Sequence, residues 1–272
     1  MPREYINWFL PNYEFFPRRT VISSYPGMGT VSAISSPSAL RPAHPISAAR
    51  AKQRMLKLLV CSGAHEQALR LNGFRSIAGV DEVGRGALFG PVVAAAVILP
   101  KRIAPLAAAG LKDSKQLTYA QRESLDRLIR ATALALSIAE IDAATIDRVN
   151  IYQATRLAML SAVRALPIAP DHLLIDAMSL DLSTLAHPCA QTRLLYGDAL
   201  SLSIAAASVV AKVHRDRLMR QMDAAHPGYG LAAHKGYATV QHLRALNLLG
   251  PTPLHRLSFA PVRACTLPLF LK

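Results

Sequence analysis

From about residue 76 onward, short apolar runs alternate with longer amphipathic segments. Residues 76–81 (SIAGVD) and 91–99 (PVVAAAVIL) are β-branched and apolar and are separated by a glycine-rich turn, a pattern that predicts a β-hairpin. Residues 133–141 (ALALSIAEI), 172–177 (HLLIDA) and 192–197 (TRLLYG) predict three further strands. We therefore expect one sheet built from short, largely buried strands.

The longer segments predict helices. Thr118 and Gln121 open one of them with the spacing of a capping box. A second is predicted as one uninterrupted helix that Pro167 stops. The predicted helices cover residues 117–131, 142–166, 200–223 and 239–249. A hairpin, then alternating strands and helices, then helices alone predict a mixed α/β sheet flanked by helices, with a small helical appendage at the C-terminus.

The chain divides into three parts by composition. Residues 1–54 hold clusters of Pro, Ser and Arg without a sustained period, which predicts a disordered N-terminal extension. The same composition is typical of a transit peptide, and a start at Met55 is a third interpretation. We favour disorder or the later start. The α/β pattern then fills residues 55–220, and residues 221–272 form the helical region.

The charge of the chain favours a polyanionic partner. The formal net charge is +14 and the pI is about 10.2. From residue 199 to the end there are nine Lys or Arg and only two acids, Asp216 and Asp223. Such a balance favours nucleic acid as the partner, and the competing interpretation is a basic, solvated surface.

Composition also bears on the compartment. No apolar run approaches the roughly 18 residues of a membrane-spanning helix, so no membrane association is expected. The three cysteines, Cys61, Cys189 and Cys265, are odd in number and far apart. They fit neither a disulfide framework nor a zinc site, which favours a reducing cytoplasm.

Carboxylates stand at the ends of the predicted strands. Asp81 and Glu82 end the first strand, Asp176 ends HLLI, and Asp198 follows TRLLYG. Acids that converge in a sheet repel one another unless a cation neutralises them, and oxygen ligands without nearby Cys or His suit Mg²⁺ or Mn²⁺. For Asp198, a helix N-cap is the simpler alternative. Adjacent strand residues face apart, so we expect the pleat to relax where Asp81 and Glu82 meet the turn.

Four sequence blocks carry a resemblance to a known family. Residues 77–99 read IAGVDEVGRGALFGPVVAAAVIL, and the later blocks are LKDSKQLT, YGDALSLSIAAASVVAKVHRD and the segment 226–262. In this order they resemble the motifs of ribonuclease HII, over about residues 65–263. The resemblance implies a ribonuclease H-like mixed sheet as a catalytic domain in residues 55–220, followed by a small C-terminal helical domain.

The resemblance also implies an activity. It implies a metal-dependent endonuclease that cuts the RNA strand of RNA–DNA hybrids and cleaves at single ribonucleotides in duplex DNA. The family's four acids fall on Asp81, Glu82, Asp176 and Asp198, which would hold Mg²⁺ or Mn²⁺ for a two-metal mechanism. We expect a monomer.

The family's glycine–arginine–glycine element, which reads the ribose 2′-hydroxyl, falls on Gly84, Arg85 and Gly86. Without the flanking acids, the same turn would be read as a simple tight hairpin. The family's sugar-stacking tyrosine falls on Tyr237 in HKGY, with Tyr229 in PGYG as the rival.

Three lysines are candidate phosphate contacts. Lys115 belongs to a polar loop and is equally well read as solvated. Lys212 shares a helix face with Asp216, and a structural pair between them is slightly favoured. Lys235 precedes Tyr237, with which it would supply a phosphate contact and an aromatic plate.

The chain departs from the family at two positions. Ala87 stands where the family usually has proline, and Ala177 stands where it usually has glycine. The first should matter little, whereas the second adds a methyl group beside the metal site. The alternatives to ribonuclease HII are a ribonuclease HIII-like hybrid nuclease and a non-catalytic nucleic-acid-binding protein.

Overall fold

A computed structural model describes Met55 and residues 58–266 of the chain. The predicted N-terminal extension, residues 1–54, lies outside the described residues. Within them, the predicted hairpin is present: strand β1 runs antiparallel to strand β2. The strands are β1 Ile77–Val83, β2 Val92–Ile98, β3 Ala135–Ile141, β4 His172–Asp176 and β5 Ala190–Leu194.

The described strands form one mixed sheet in the order β3-β2-β1-β4-β5. β3 pairs antiparallel with β2, whereas β4 runs parallel to β1 and β5 runs parallel to β4. The carboxyl ends of β1, β4 and β5 therefore meet at one edge of the sheet. The predicted strands at 133–141 and 172–177 are confirmed, whereas the one at 192–197 is confirmed only in part, because β5 ends at Leu194 and Gly197 begins a 3₁₀ turn.

The helices cover both faces of the sheet and continue beyond it. Thr118 and Gln121 form the predicted capping box, with each side chain bonded to the other residue's backbone N–H. The helices are α1 Ala64–Leu71, α2 Ala104–Ala108, α3 Tyr119–Thr132, α4 Ala143–Val149, α5 Ile151–Arg164, α6 Leu202–Ala225, α7 Leu231–His234, α8 Val240–Leu249 and α9 Ala260–Thr266.

One helix prediction is wrong. The segment predicted as a single helix over residues 142–166 is two helices, α4 and α5, separated at Asn150. Asn150 has φ 69°, a left-handed conformation that asparagine tolerates better than most residues. Its Oδ1 accepts a hydrogen bond from the Gln153 N–H at 3.1 Å, so the same residue begins the second helix.

The sheet separates two apolar layers. On one side, α5 packs Ala158 and Met159 against Val80 and Ala94. On the other side, alanines and valines of α6 pack against the opposite face of the same strands. The start of α6 lies directly on β1, because a Cβ atom on Gly79 would lie 2.0 Å from the Ser203 carbonyl carbon. This close approach holds the first turn of α6 against the first half of β1, and Ser208 further along α6 reaches Asp81.

The C-terminal helices contact the loop that joins β1 to β2. The Leu88 N–H donates to the Gly236 carbonyl, and the Arg256 N–H donates to the Leu88 carbonyl, both at 2.8 Å. The predicted boundary at residue 220 falls inside α6 (Leu202–Ala225), and the division into domains stays a prediction. No helix among the described residues is both long and apolar enough to span a membrane.

Candidate active site

The topology brings the four predicted acids to one edge of the sheet. Asp81 and Glu82 lie near the carboxyl end of β1, and Asp176 is the last residue of the parallel neighbour β4. Asp198 lies in the 3₁₀ turn Gly197–Ala199 that follows β5. Asp81 and Asp198 are each only 4% exposed.

Asp81 and Glu82 reach this edge without the expected relaxation of the pleat. Asp81 stays in register with Ala95 and Glu82 with Ala94, so the two acids point to opposite faces. Ala95 belongs to the α6 layer and Ala94 to the α5 layer. Ser208 of α6 accordingly reaches the Asp81 carboxylate. The expectation of a relaxed strand end is wrong, and the two acids approach the site from the two sides of the sheet.

The carboxylates have few partners within the protein. The Asp176 Oδ1 accepts a hydrogen bond from the Gly197 N–H at 2.7 Å. The Glu82 Oε1 lies 3.3 Å from the Arg85 Nη1, whereas its Oε2 is buried without a hydrogen-bond partner. An orphaned, buried carboxylate oxygen is costly and marks a place for a further donor or cation.

Asp198 is not the cap of the helix that follows it. Ser201 caps α6 by accepting the Ile204 N–H at 3.2 Å. Asp198 instead accepts a hydrogen bond from the Lys115 Nζ at 3.1 Å. Burial alone would lower the pKa of Lys115, but the Asp198 and Asp113 carboxylates outweigh it and raise that pKa.

The surroundings of the four acids raise the affinity of each carboxyl group for a proton. Burial is the largest cause and raises the pKa of all four carboxyl groups. Asp81 shows the largest effect, since the charges of Glu82, Asp176 and Asp198 raise its pKa further. The arrangement therefore favours any cation that enters, either a proton or a metal ion.

The donor set fits a hard divalent cation, although the placed side chains do not form a closed site. Among residues 58–266, no three His, Cys, Asp or Glu side chains have the spacing of a formed metal site. Two of the four acids contact Arg85 and Lys115 instead. Carboxylate oxygens alone, one of them orphaned, are the ligands that Mg²⁺ and Mn²⁺ favour.

An open depression of about 200 Å³ joins the acids to the glycine-rich turn. Gly84 is buried with φ 91°, and a Cβ atom there would lie 2.2 Å from the Arg215 Nε. Gly86 is exposed, and a Cβ atom there would meet only the Tyr237 Cε1 at 3.9 Å. The depression is lined by Asp81, Glu82, Val83, Gly84, Arg85, Gly86, Lys115, Asp176 and Tyr237.

The two candidate tyrosines lie in different surroundings. Tyr237 lines the depression and pairs with Ala87 through an isolated β-bridge. Tyr229 is 6% exposed, packs with Phe89 and Met219, and donates its hydroxyl hydrogen to the Gly250 carbonyl at 2.6 Å. Tyr229 is thus a core residue, and Tyr237 is the tyrosine available to a ligand.

The three candidate lysines also differ. The Lys115 side chain is 78% exposed and lines the depression. The Lys212 Nζ lies 2.6 Å from the Asp216 Oδ1, which is the structural pair that the sequence favoured. The Lys235 Nζ donates to the Ala232 carbonyl. Neither Lys212 nor Lys235 lines this depression.

Sequence reasoning missed two kinds of residue around the site. The Ser114 and Ser208 hydroxyls hydrogen-bond at 2.9 Å and link the Lys115 turn to α6 beside Asp81. Arg215 and Arg256 are fully buried under the glycine-rich turn. The segments that contain them, VHRDR and LHRLSF, do not indicate burial. Arginine is rarely buried without a charged partner, so the sequence predicts exposed side chains here.

The mixed sheet and its edge of carboxylates define a ribonuclease H-like nuclease. The family model described as Ribonuclease HII matches residues 78–262, and the chain belongs to that family. It is therefore an endoribonuclease that acts on RNA–DNA hybrids, as the sequence motifs implied. The alternative of a non-catalytic nucleic-acid-binding protein is set aside.

Curated relatives agree over most of the chain. Ribonuclease HII of Koribacter versatilis is 54% identical over 224 residues, covering 82% of this chain and 85% of the relative. Ribonuclease HII of Geobacillus kaustophilus is 54% identical over 199 residues, covering 73% and 74%.

Solved structures share the fold. Ribonuclease H2 from Pyrococcus horikoshii OT3 matches with a TM-score of 0.62 and 25% identity, covering 70% of this chain and 97% of that one. A Bst-RNase HIII in complex with Mn²⁺ matches with a TM-score of 0.53 and 26% identity, covering 70% and 68%.

Proposed function

We propose that this chain cleaves at single ribonucleotides embedded in duplex DNA, in addition to the RNA strand of RNA–DNA hybrids. The observation that carries the proposal is the depression in which Asp81, Glu82 and Asp176 adjoin the turn Gly84–Gly86 and Tyr237. One recess thus combines groups for phosphate hydrolysis with groups that approach a sugar closely.

We further propose that Asp81, Glu82, Asp176 and Asp198 hold Mg²⁺ or Mn²⁺. The support is their oxygen-only donor set, their raised pKa values and the orphaned Oε2 of Glu82. Such ions, when bound, supply an activated water and charge stabilisation at the leaving oxygen of a phosphodiester. Arg85 and Lys115, which contact two of the acids here, are long enough to turn toward substrate phosphates instead.

The chain's own residues would choose the substrate. The 2′-hydroxyl is the only group that separates ribose from deoxyribose at a given position, and it both donates and accepts hydrogen bonds. Arg85 and Gly86 are exposed, and Gly86 has no side chain. The backbone of this turn can therefore approach that hydroxyl closely. Tyr237 lines the depression beside Gly86, and its ring can stack against the adjoining sugar.

The proposal extends to the remaining expectations from the sequence. Lys115 is the lysine best placed for a phosphate contact, since it is exposed and lines the depression. Lys212 and Lys235 would contact phosphates only after leaving Asp216 and the Ala232 carbonyl. We also propose a monomer in a reducing cytoplasm, where Cys61, Cys189 and Cys265 stay free.

The test uses three duplexes of one sequence: all DNA, DNA with a single ribonucleotide, and an RNA–DNA hybrid. Each is incubated with the enzyme and Mg²⁺, Mn²⁺ or EDTA. We expect cleavage of the one-ribonucleotide duplex and the hybrid with either metal, and none of the DNA duplex or with EDTA. Cleavage of the hybrid alone would indicate a ribonuclease HIII-like preference and contradict the proposal.

A further inference from the structure

Two arginines lie fully buried beneath the loop that carries the glycine-rich turn. Arg215 belongs to α6 and Arg256 follows α8, and both are 0% exposed. Neither forms an ion pair with a carboxylate in the part of the chain that the structure describes. Burial lowers the pKa of Arg215, and burial together with the Arg215 charge lowers the pKa of Arg256 to about 9.

Backbone carbonyls satisfy these guanidinium groups instead. Arg256 donates from Nε to the Gly90 carbonyl at 3.0 Å and from Nη1 to the Arg85 carbonyl at 2.9 Å. One planar group thereby joins the two ends of the loop. The Arg256 Nη2 has no partner.

Arg215 joins the same loop to the segment that precedes Tyr237. It donates from Nη2 to the Phe89 carbonyl at 3.0 Å, from Nε to the Pro91 carbonyl at 3.3 Å and from Nη1 to the Lys235 carbonyl at 2.7 Å. Its Cζ lies 5.7 Å from the centre of the Tyr237 ring.

Stability alone does not explain this arrangement. Transfer of a charged group into the interior is costly, and well-packed apolar residues in place of a buried ion are often neutral or stabilising. The five carbonyls that receive these hydrogen bonds all belong to the loop 85–91 or to Lys235. Both segments line or adjoin the depression.

We propose that Arg215 and Arg256 are positioning residues that fix the turn Gly84–Gly86 relative to Tyr237 and so set selectivity for a single ribonucleotide. The inference rests on the proposed function. It adds two residues that touch no substrate and act through backbone carbonyls.

The geometry explains why a positive charge alone, such as that of lysine, would not fix the turn. Lysine keeps the positive charge but is a single point donor on a flexible stem, whereas arginine spans two acceptors with a rigid fork. A lysine at position 256 cannot span the carbonyls of Arg85 and Gly90 as the fork does. In such a variant, direct backbone hydrogen bonds, such as that from the Leu88 N–H to the Gly236 carbonyl, would still hold the loop. The position of the loop would be less precisely fixed.

The test compares Arg256→Lys, Arg256→Gln and Arg215→Lys with wild type. Arg70→Gln is the matched control, because Arg70 also donates to two carbonyls, Leu99 at 3.3 Å and Pro100 at 3.4 Å. Those carbonyls lie at the far end of β2. For each protein, kcat and KM are measured on the one-ribonucleotide duplex and on the hybrid, well below the melting temperature.

We expect each variant at positions 215 and 256 to lose about ten- to a hundredfold in kcat/KM on the one-ribonucleotide duplex, the typical effect of a misplaced hydrogen-bonding group. The hybrid presents a 2′-hydroxyl at every position, so a displaced turn still finds one and the loss is smaller. The ratio between the two substrates does not depend on the folded fraction of a sample. A merely structural role would leave that ratio unchanged.

Three results would overturn the inference. They are an unchanged ratio in the Arg256 variants, full activity of Arg256→Lys, which would make charge sufficient, and an equal loss of ratio in Arg70→Gln. A wild-type enzyme that ignores the one-ribonucleotide duplex would be a different failure. It would refute the proposed function first, and the selectivity role with it.

Discussion

Two neighbouring regions of the molecule bury charge in opposite ways. In the acid region, Asp81, Glu82, Asp176 and Asp198 meet at the sheet edge, and one carboxylate oxygen has no partner. The cations that contact them come from exposed side chains, 43% exposed for Arg85 and 78% for Lys115. In the arginine region, two buried guanidinium groups are bound by fixed backbone carbonyls.

The difference separates a region that can receive a cation from one whose charges are held mainly by the chain's own backbone carbonyls. Burial first, and the charges of neighbouring acids second, raise the pKa values of Asp81 and Asp176, so a cation that enters the acid region stabilises it. In the arginine region, every guanidinium nitrogen except the Arg256 Nη2 already donates to a backbone carbonyl of the chain. We infer that the first region performs the chemistry and the second holds the substrate-reading turn in place.

The largest expected effect comes from the acid region. Asp81→Asn keeps the shape of the side chain and its acceptor oxygen for the Glu82 N–H, but it removes the charge. Loss of a metal ligand removes several kcal/mol of transition-state stabilisation, on the order of a thousandfold in kcat. We expect cleavage of the hybrid to be lost and binding of the hybrid, measured by fluorescence anisotropy, to be largely retained.

The control for this variant is Asp181→Asn, an exposed acid outside the site whose carboxylate bonds only to Ser183 among the described residues. It should cleave like wild type. Normal turnover by purified Asp81→Asn would show that the acid region does not hold the catalytic ions.

The next effect distinguishes the two regions at the glycine-rich turn. A methyl group on Gly84 would collide with Arg215 and strain a φ of 91°, so Gly84→Ala should destabilise the fold itself. Gly86→Ala has room and lies outside the left-handed region. It should fold normally and lose about tenfold or more in kcat/KM on the one-ribonucleotide duplex, since its methyl group enters the depression.

The measurements are the melting temperature and the kcat/KM on the one-ribonucleotide duplex, for both Gly84→Ala and Gly86→Ala. The matched pair separates damage to the arginine region from obstruction of the ligand. Unimpaired cleavage of the one-ribonucleotide duplex by a well-folded Gly86→Ala enzyme would mean that the 2′-hydroxyl is read elsewhere.

A smaller effect concerns fold stability at low pH, when His255, next to Arg256 in the sequence, takes up a proton. His255 is 1% exposed, and its Nδ1 accepts the Thr252 N–H at 2.9 Å. Its Nε2–H therefore donates to the His242 Nε2 at 3.2 Å, and the His242 Nδ1–H donates to the Tyr237 carbonyl at 3.0 Å. This series of hydrogen bonds requires both imidazole rings to be neutral.

Burial, together with the neighbouring His242, lowers the pKa of His255 from 6.5 to about 4. The unfolded chain therefore binds this proton first, and stability falls as the pH drops from 6.5 toward 4. The slope is at most about 1.4 kcal/mol per pH unit. Urea unfolding as a function of pH should show this loss in wild type and a shallower loss in His255→Asn. Parallel pH profiles would exclude His255 as the source.

The smallest effect concerns Ala177, next to Asp176. Ala177 has φ 51°, where the family resemblance implies glycine, so the departure costs backbone strain as well as a methyl group beside the acids. Ala177→Gly relieves about 1–2 kcal/mol of strain, and the greater freedom of the unfolded chain offsets about 0.4–1 kcal/mol of it. We expect a slightly higher melting temperature. A lower one would show that the alanine methyl group contributes packing.

The sequence indicated the sheet and the four acids because both depend on local patterns. Apolar runs marked the strands, and acids at their carboxyl ends marked the edge where parallel strands meet. The break at Asn150 was missed because the apolar period continues through it, while a single left-handed residue redirects the chain.

The arginine region was beyond sequence reasoning for a different reason. Arg215 and Arg256 are 41 positions apart by their numbers, and their acceptors lie more than a hundred positions earlier or near Lys235. Backbone carbonyls carry no residue identity, so no pattern of side chains announces them. The opposite orientation of Asp81 and Glu82 likewise depended on how far pairing with β2 continues.

The most direct test of this account is a calorimetric titration of Mn²⁺ into wild type and Asp81→Asn, with the melting temperature followed in parallel. A ligand that binds only the folded state raises its stability with concentration. We expect wild type to bind Mn²⁺ and to melt at a higher temperature, and Asp81→Asn to bind it far more weakly. Equal binding by the two proteins, or none by wild type, would contradict the claim that these carboxylates form a divalent-cation site.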